Sequence, residues 1–185
     1  SGALPREPLK SIQAAADKVN PGDTVVVRPG AYYESVAIRR FGTREKPITF
    51  MADSLEKNRV IITGARRAIR EKKVPWRLDD PALGLYSIPC EGTDYPSRVL
   101  YSGADLYPYA SVDLLRRFNV VKAINDATSD VNPGPRHGYT WVKDEQRLYV
   151  RLHDSGRFGS RNPNDHIMSV GPEPDGVHYG NFIPV

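Results

Sequence analysis

Residues 21–63 read PGDTVVVRPGAYYESVAIRRFGTREKPITFMADSLEKNRVIIT, and the spacing of the apolar side chains in this stretch decides the fold. The pairs Val25/Val27, Val36/Ile38, Ile48/Phe50 and Val60/Ile62 each hold two apolar residues two positions apart, which places both on one face of a β-strand. The pairs follow one another at a nearly constant interval, from Val25 to Val36 to Ile48 to Val60, so alternate pairs also recur evenly. The step from one alternate pair to the next is long enough for one circuit of a chain that winds round and stacks on itself at a strand spacing of about 4.8 Å. The spacing predicts a parallel β-helix. Strands at 8–12-residue steps are also what an antiparallel sandwich or barrel produces, so spacing alone leaves both architectures open.

Working outward from this stretch, the preceding residues favour the coil. Leu9, Ile12, Ala15, Ala16 and Val19 fall at helical intervals, which predicts an amphipathic helix over 8–19 with Pro8 near its first turn. Asn20-Pro21-Gly22-Asp23 ends it, because Pro21 cannot continue a helix and Gly22 tolerates positive φ. A helix at this place covers the unpaired edges and apolar end of the first coil. Pro-Gly at 21–22 and 29–30, and Gly42, supply the corners.

The segments Ser11-Ile12-Gln13-Ala14-Ala15, Pro21 to Val27, Pro29-Gly30-Ala31-Tyr32-Tyr33-Glu34, and Gly42-Thr43 with Lys46-Pro47-Ile48-Thr49-Phe50 together resemble the opening of right-handed parallel β-helix proteins of the pectin-lyase-like kind. Within that group they are similar to the alginate lyases and chondroitinase B, and to β-helix glycoside hydrolases. The likeness covers about residues 8–65 and speaks for the fold more than for a reaction.

After Gly64 the beat stops. Leu85-Tyr86-Ser87-Ile88, Ser97 to Tyr101 and Tyr139 to Val142 read as strands, together with Trp76, and Arg147 to Leu152 alternates cleanly. The last two predict a hairpin across Lys143-Asp144-Glu145-Gln146, with a second turn at Ser102-Gly103. The expected organisation is a capping helix and first coils over 1–70, an inserted antiparallel β-module over 71–174, and a return toward the β-helix over 175–185. Trp76 with Gly84-Leu85-Tyr86, Pro96 to Leu106, the hairpin and Asn162-Pro163-Asn164 resemble the inserted module of several β-helix glycosidase-like proteins. In such proteins further coils with the catalytic groups follow the insertion. The resemblance therefore implies an N-terminal portion that lacks them.

With 185 residues and 39% hydrophobic content, the chain supports an ordinary core. No apolar run approaches the roughly 20 residues needed to cross a bilayer, and the stretch from Ser1 does not read as a signal peptide; a secreted or periplasmic location is implied by the resemblance alone. Lys and Arg number 26 against 22 acidic residues, a net charge of +4. Clusters at Arg39-Arg40, Arg66-Arg67-Arg70-Lys72-Lys73 and Arg116-Arg117 read first as solvated surface and second as attraction for an anionic glycan. Nucleic acid is disfavoured, because no basic helix, zinc finger or RNA-binding aromatic signature accompanies the charge. The expected partner is a polysaccharide or oligosaccharide, with self-association through the open end of the coil.

No catalytic or substrate-binding residue is assigned from sequence. A lyase needs a base and a cation beside a uronate, roles that Arg136, His137 and Tyr139 match in type, beside a Pro133-Gly134-Pro135 turn that explains them equally well. A glycosidase needs two carboxylates across the bond, and Glu34, Asp79, Asp80 and Asp105 are the candidates considered. Tyr86, Tyr95, Tyr101, Tyr107 and Tyr109 stack on sugars or pack in the core. His137, His153, His166 and His178 are widely separated and lack the paired spacing of ligands, so no metal site is predicted. No cofactor is predicted; calcium is implied by the resemblance only, with Asp126, Asp130 and Asn132, or Asn162, Asn164 and Asp165, as oxygen donors against the plainer reading of turn chemistry. The single cysteine, Cys90, reads as a buried spectator.

Overall fold

A computed structural model describes residues 8–53, 60–92, 95–118, 136–153 and 159–171. Over these residues the protein is mainly β, with short helices and no closed barrel. They fall into two compact units, one ending at Gly64 and the other starting at Ala65.

Among the described residues of the first unit, α1 spans Ile12–Ala16. Ser11 sets its start, because its hydroxyl accepts from the Ala14 N–H at 3.1 Å. The helix is shorter than the apolar spacing predicts: Pro8 lies outside it and Leu9 is 43% exposed, while Ile12, Ala15, Ala16 and Val19 are buried. A second cap comes from far along the chain. Glu34 Oε1 accepts from the Ile12 N–H and Oε2 from the Gln13 N–H, both at 2.9 Å, which places a carboxylate on the first amides of the helix.

Strands β1 (Thr24–Val27) and β3 (Thr49–Ala52) pair in parallel, with Val25 beside Phe50. Strands β2 (Gly30–Tyr33) and β4 (Val60–Thr63) do the same, with Tyr32 beside Ile62. The β1–β3 ladder joins partners slightly farther apart in sequence than the apolar spacing predicts, the β2–β4 ladder joins partners well beyond it, and Ile48 precedes the strand that the spacing assigns to it. The expected strand at Val36/Ile38 does not form. Gln13 explains why: its amide donates to the Ala37 carbonyl at 3.1 Å and accepts from the Ala37 N–H at 2.7 Å, so a side chain occupies the groups a ladder would use. Val60 and Ile62 do not share a buried face, since Ile62 is 55% exposed. Gly42 works by close approach, since a Cβ there would lie 2.6 Å from the Ile48 nitrogen and 2.7 Å from the Lys46 carbonyl oxygen.

The second unit contains α2 (Arg67–Arg70), β5 (Arg77–Asp80), β6 (Leu85–Pro89), β7 (Arg98–Tyr101), β8 (Ala104–Asp105), β9 (Tyr107–Pro108), α3 (Val112–Arg117), β10 (Gly138–Val142), β11 (Arg147–Arg151), a 3-10 turn at Pro163–Asp165, and β12 (Met168–Gly171). A five-stranded sheet runs β5-β6-β11-β10-β9 and a three-stranded sheet runs β12-β7-β8, antiparallel except where β9 meets β10. The expected hairpin forms, with Val142 opposite Arg147 and Tyr139 opposite Val150. One core joins the sheets through Ile88, Trp141, Leu148 and Val150 from the larger and Val99, Tyr101, Met168 and Val170 from the smaller. Because side chains alternate along a strand, Leu85 faces the other way and packs with Tyr109 and Leu115 under α3. Gly138 is required here: a Cβ would fall 2.1 Å from the Tyr109 ring and 2.8 Å from the Tyr107 carbonyl oxygen.

Candidate functional site, a histidine and tyrosine cluster

Strand register brings together histidines that lie far apart in sequence. Gly138 is opposite Arg151, so His137 and His153 flank the hairpin at the end away from its turn. His137 Nδ1 accepts from the His153 backbone N–H at 2.7 Å, and the two rings lie 6.2 Å apart. In the smaller sheet Met168 is opposite Tyr101, which brings His166 beside the Ser102-Gly103 turn. His166 Nδ1 is 3.2 Å from the Ser102 hydroxyl, and its Nε2 is 2.6 Å from the Ser160 carbonyl oxygen. A carbonyl only accepts, so Nε2 carries a proton and, in the neutral ring, the serine donates to Nδ1. The Tyr101 ring sits 4.9 Å from His137 and 5.5 Å from His166. Phe118, at the end of α3, stacks edge-on to His153 at 5.7 Å, and the Arg151 guanidinium lies 3.8 Å over the Phe118 ring.

Burial holds the His137 imidazole below the usual histidine range, helped by repulsion from His153 and then His166. At neutral pH it is therefore an uncharged ring whose Nδ1 lone pair is taken by the His153 amide. Arg136, exposed beside it, lies 5.8 Å over the Tyr107 ring. Tyr139 does not join them. Its ring points into the core, its hydroxyl donates to the Pro96 carbonyl at 3.0 Å, and burial pushes its pKa well above the usual tyrosine value, followed by Tyr95 and Asp105. Of the three residues matched to lyase roles, the structure leaves Arg136 exposed, ties the His137 acceptor nitrogen to the His153 amide and turns the Tyr139 phenol into the core.

The carboxylates considered for glycoside cleavage have structural occupations. Glu34 caps α1 in the first unit. Asp105 makes a two-pronged pair with Arg98 at 2.6 and 2.9 Å, Asp79 Oδ1 pairs with Arg77 at 2.5 Å, and Asp80 accepts from the Leu83 N–H at 3.2 Å in a turn. The oxygens of the second calcium set take part in contacts within the protein. Asn164 Oδ1 accepts from the Trp76 N–H at 2.8 Å while its Nδ2 donates to the Trp76 carbonyl at 3.0 Å, Asn162 Oδ1 accepts from the Asn164 N–H at 3.0 Å, and Asp165 accepts from the Ser160 hydroxyl at 2.5 Å. Asp126, Asp130, Asn132 and His178 lie outside the described residues. Among the described residues no group of three or more His, Cys, Asp or Glu has the arrangement to hold a metal ion. Cys90 is buried, and its carbonyl accepts from the Trp141 indole at 2.8 Å. Tyr101 and Tyr109 are buried, Tyr86 and Tyr107 half-buried, and Tyr95 40% exposed.

The basic clusters are partly engaged. Arg67 and Lys73 both pair with Glu71 at 2.8 Å, Arg70 donates to the Ser169 hydroxyl at 2.6 Å, and Arg117 pairs with Asp113 at 3.1 Å. Sequence reasoning missed the convergence of His137, His153, His166 and Tyr101. The near-symmetric placing of His137 and His153 about the hairpin turn was the available signal.

No family model matches the chain. Over 69 residues, 37% of its length, it is 35% identical to the uncharacterized protein YwoF of Bacillus subtilis (strain 168). The structure of XylC in complex with xylose matches 89% of the chain with a TM-score of 0.58 at 19% identity. That likeness is one of fold. The chain spans 14% of YwoF and 28% of XylC. No helix among the described residues is long and apolar enough to cross a membrane.

Proposed function

We propose that the chain is the N-terminal part of a secreted β-helix protein acting on carbohydrate, a polysaccharide lyase or glycoside hydrolase whose catalytic coils belong to a longer polypeptide. The observation that carries this reading is the pair of parallel ladders, Thr24 beside Thr49 in one and Gly30 beside Val60 in the other, the arrangement of a chain stacking successive coils. The fold likeness to XylC, a protein whose structure holds xylose, supports it. On this reading α1 is the cap of the coil, and the second unit is a module inserted after the first turns.

The test compares this chain with the longer polypeptide on xylan and on uronate-containing polysaccharides, following reducing ends and absorbance of unsaturated product. The longer polypeptide is expected to release oligosaccharides and the chain alone to release none. Turnover by the chain alone contradicts the missing-coil assignment. Absence of both binding and cleavage by the longer polypeptide removes the carbohydrate reading. Binding without product by either assigns a glycan-binding module instead, for which Arg136 over the half-buried Tyr107 ring is the supporting feature.

A further inference from the structure

The histidine cluster does more than fill space, because it spans the two sheets of the second unit. His137 belongs to the β10 end of the larger sheet, Tyr101 to β7 of the smaller, and His166 to the segment leading into β12. The Tyr101 ring is in contact with both imidazoles, and His137 is tied to the chain leaving β11 through the His153 amide. We propose that His137, His153 and His166 form a pH-sensitive clasp, which holds this end of the sandwich closed while His137 is neutral and loosens it when His137 is protonated.

The chemistry is specific to His137. Its Nδ1 is an acceptor, and protonation puts a hydrogen where the His153 N–H now donates, so that bond is lost. The new charge would sit in a half-buried place near two other imidazoles. His166 is placed differently, since its Nδ1 faces a serine hydroxyl and not a backbone N–H. The other charged groups here are Arg136 on the same stretch, lying over Tyr107 of β9; Arg151 of β11, lying over Phe118 at the end of α3; and Asp165, which accepts from Ser160 beside His166.

The sign follows from burial. The folded His137 pKa lies below the unfolded value of 6.5, so the unfolded chain binds more protons between the two. The stabilisation is complete above pH 6.5 and is lost as pH falls from there through the folded value. The experiment follows the imidazole and amide resonances of the full chain by NMR from pH 8 to pH 4.5, with urea midpoints at pH 8 and pH 5 for the chain and for His137→Gln. The His137 ring is expected to titrate below 6.5 with the His153 amide moving at the same midpoint, and the pH 8 to pH 5 fall in urea midpoint is expected to shrink in the variant. A His137 midpoint at or above 6.5, or a His153 amide that ignores it, overturns the proposal. An unchanged pH dependence in a folded variant does so too, and if that variant does not fold, the resonances of the unmodified chain decide.

Discussion

Replacing Asn164 by alanine removes both backbone partners of Trp76 at once, because one side-chain amide accepts from its N–H and donates to its carbonyl. Trp76 is buried in the core of the second unit, so the two orphaned groups are expected to lower stability by about 1–3 kcal/mol. Urea denaturation checks this, and Asn164→Asp, which keeps the acceptor and loses the donor, should fall between. A wild-type midpoint in Asn164→Ala would show that water replaces the amide without cost. The Asn162-Pro163-Asn164 segment was legible as turn chemistry, but its partner far back in the chain was not, since nothing local to either residue records the contact. Gly42 was legible as a corner, although its reason is the approach of the Lys46–Ile48 backbone and not a positive φ.

Element boundaries in the first unit depend on side chains borrowed from distant positions. Glu34 accepts from two amides at the start of α1, so Glu34→Gln, which gives up the charge and one of the two acceptors, is expected to destabilise by about 1–2 kcal/mol. Thermal unfolding followed by far-ultraviolet circular dichroism checks the direction, and an unchanged midpoint would mean the cap contributes nothing net. The β10–β11 hairpin was readable because its alternation and turn are local. The strand expected at Val36/Ile38 was not excluded by its own residues; Gln13, much earlier in the chain, takes the Ala37 backbone groups. Strand β2 went unread for the opposite reason, since Gly30-Ala31-Tyr32-Tyr33 lacks an apolar alternation and its pairing with β4 supplies the order. The histidine cluster follows the same rule. Its members become neighbours only once two sheet registers are known.

At the scale of the molecule, the described residues of the first unit form two two-stranded parallel sheets, an arrangement that is marginal in water without further strands. Val26 and Met51, side by side in register on β1 and β3, are both half exposed, and Phe41 is 79% exposed. Such surface favours association. The chain is therefore expected to gain mass with concentration in light scattering, and Met51→Lys to reduce the gain; a monomer at every concentration would contradict this. The direction of strand pairing carries the coil reading, because an antiparallel arrangement of 24–27 with 49–52 would end the comparison with stacked coils. The most direct measurement is a set of backbone NOEs in the full chain between Thr24–Val27 and Thr49–Ala52 and between Gly30–Tyr33 and Val60–Thr63. Parallel cross-strand contacts placing Val25 beside Phe50 and Tyr32 beside Ile62 are the expected result. Contacts in the antiparallel pattern, or none between these strands, would contradict the account.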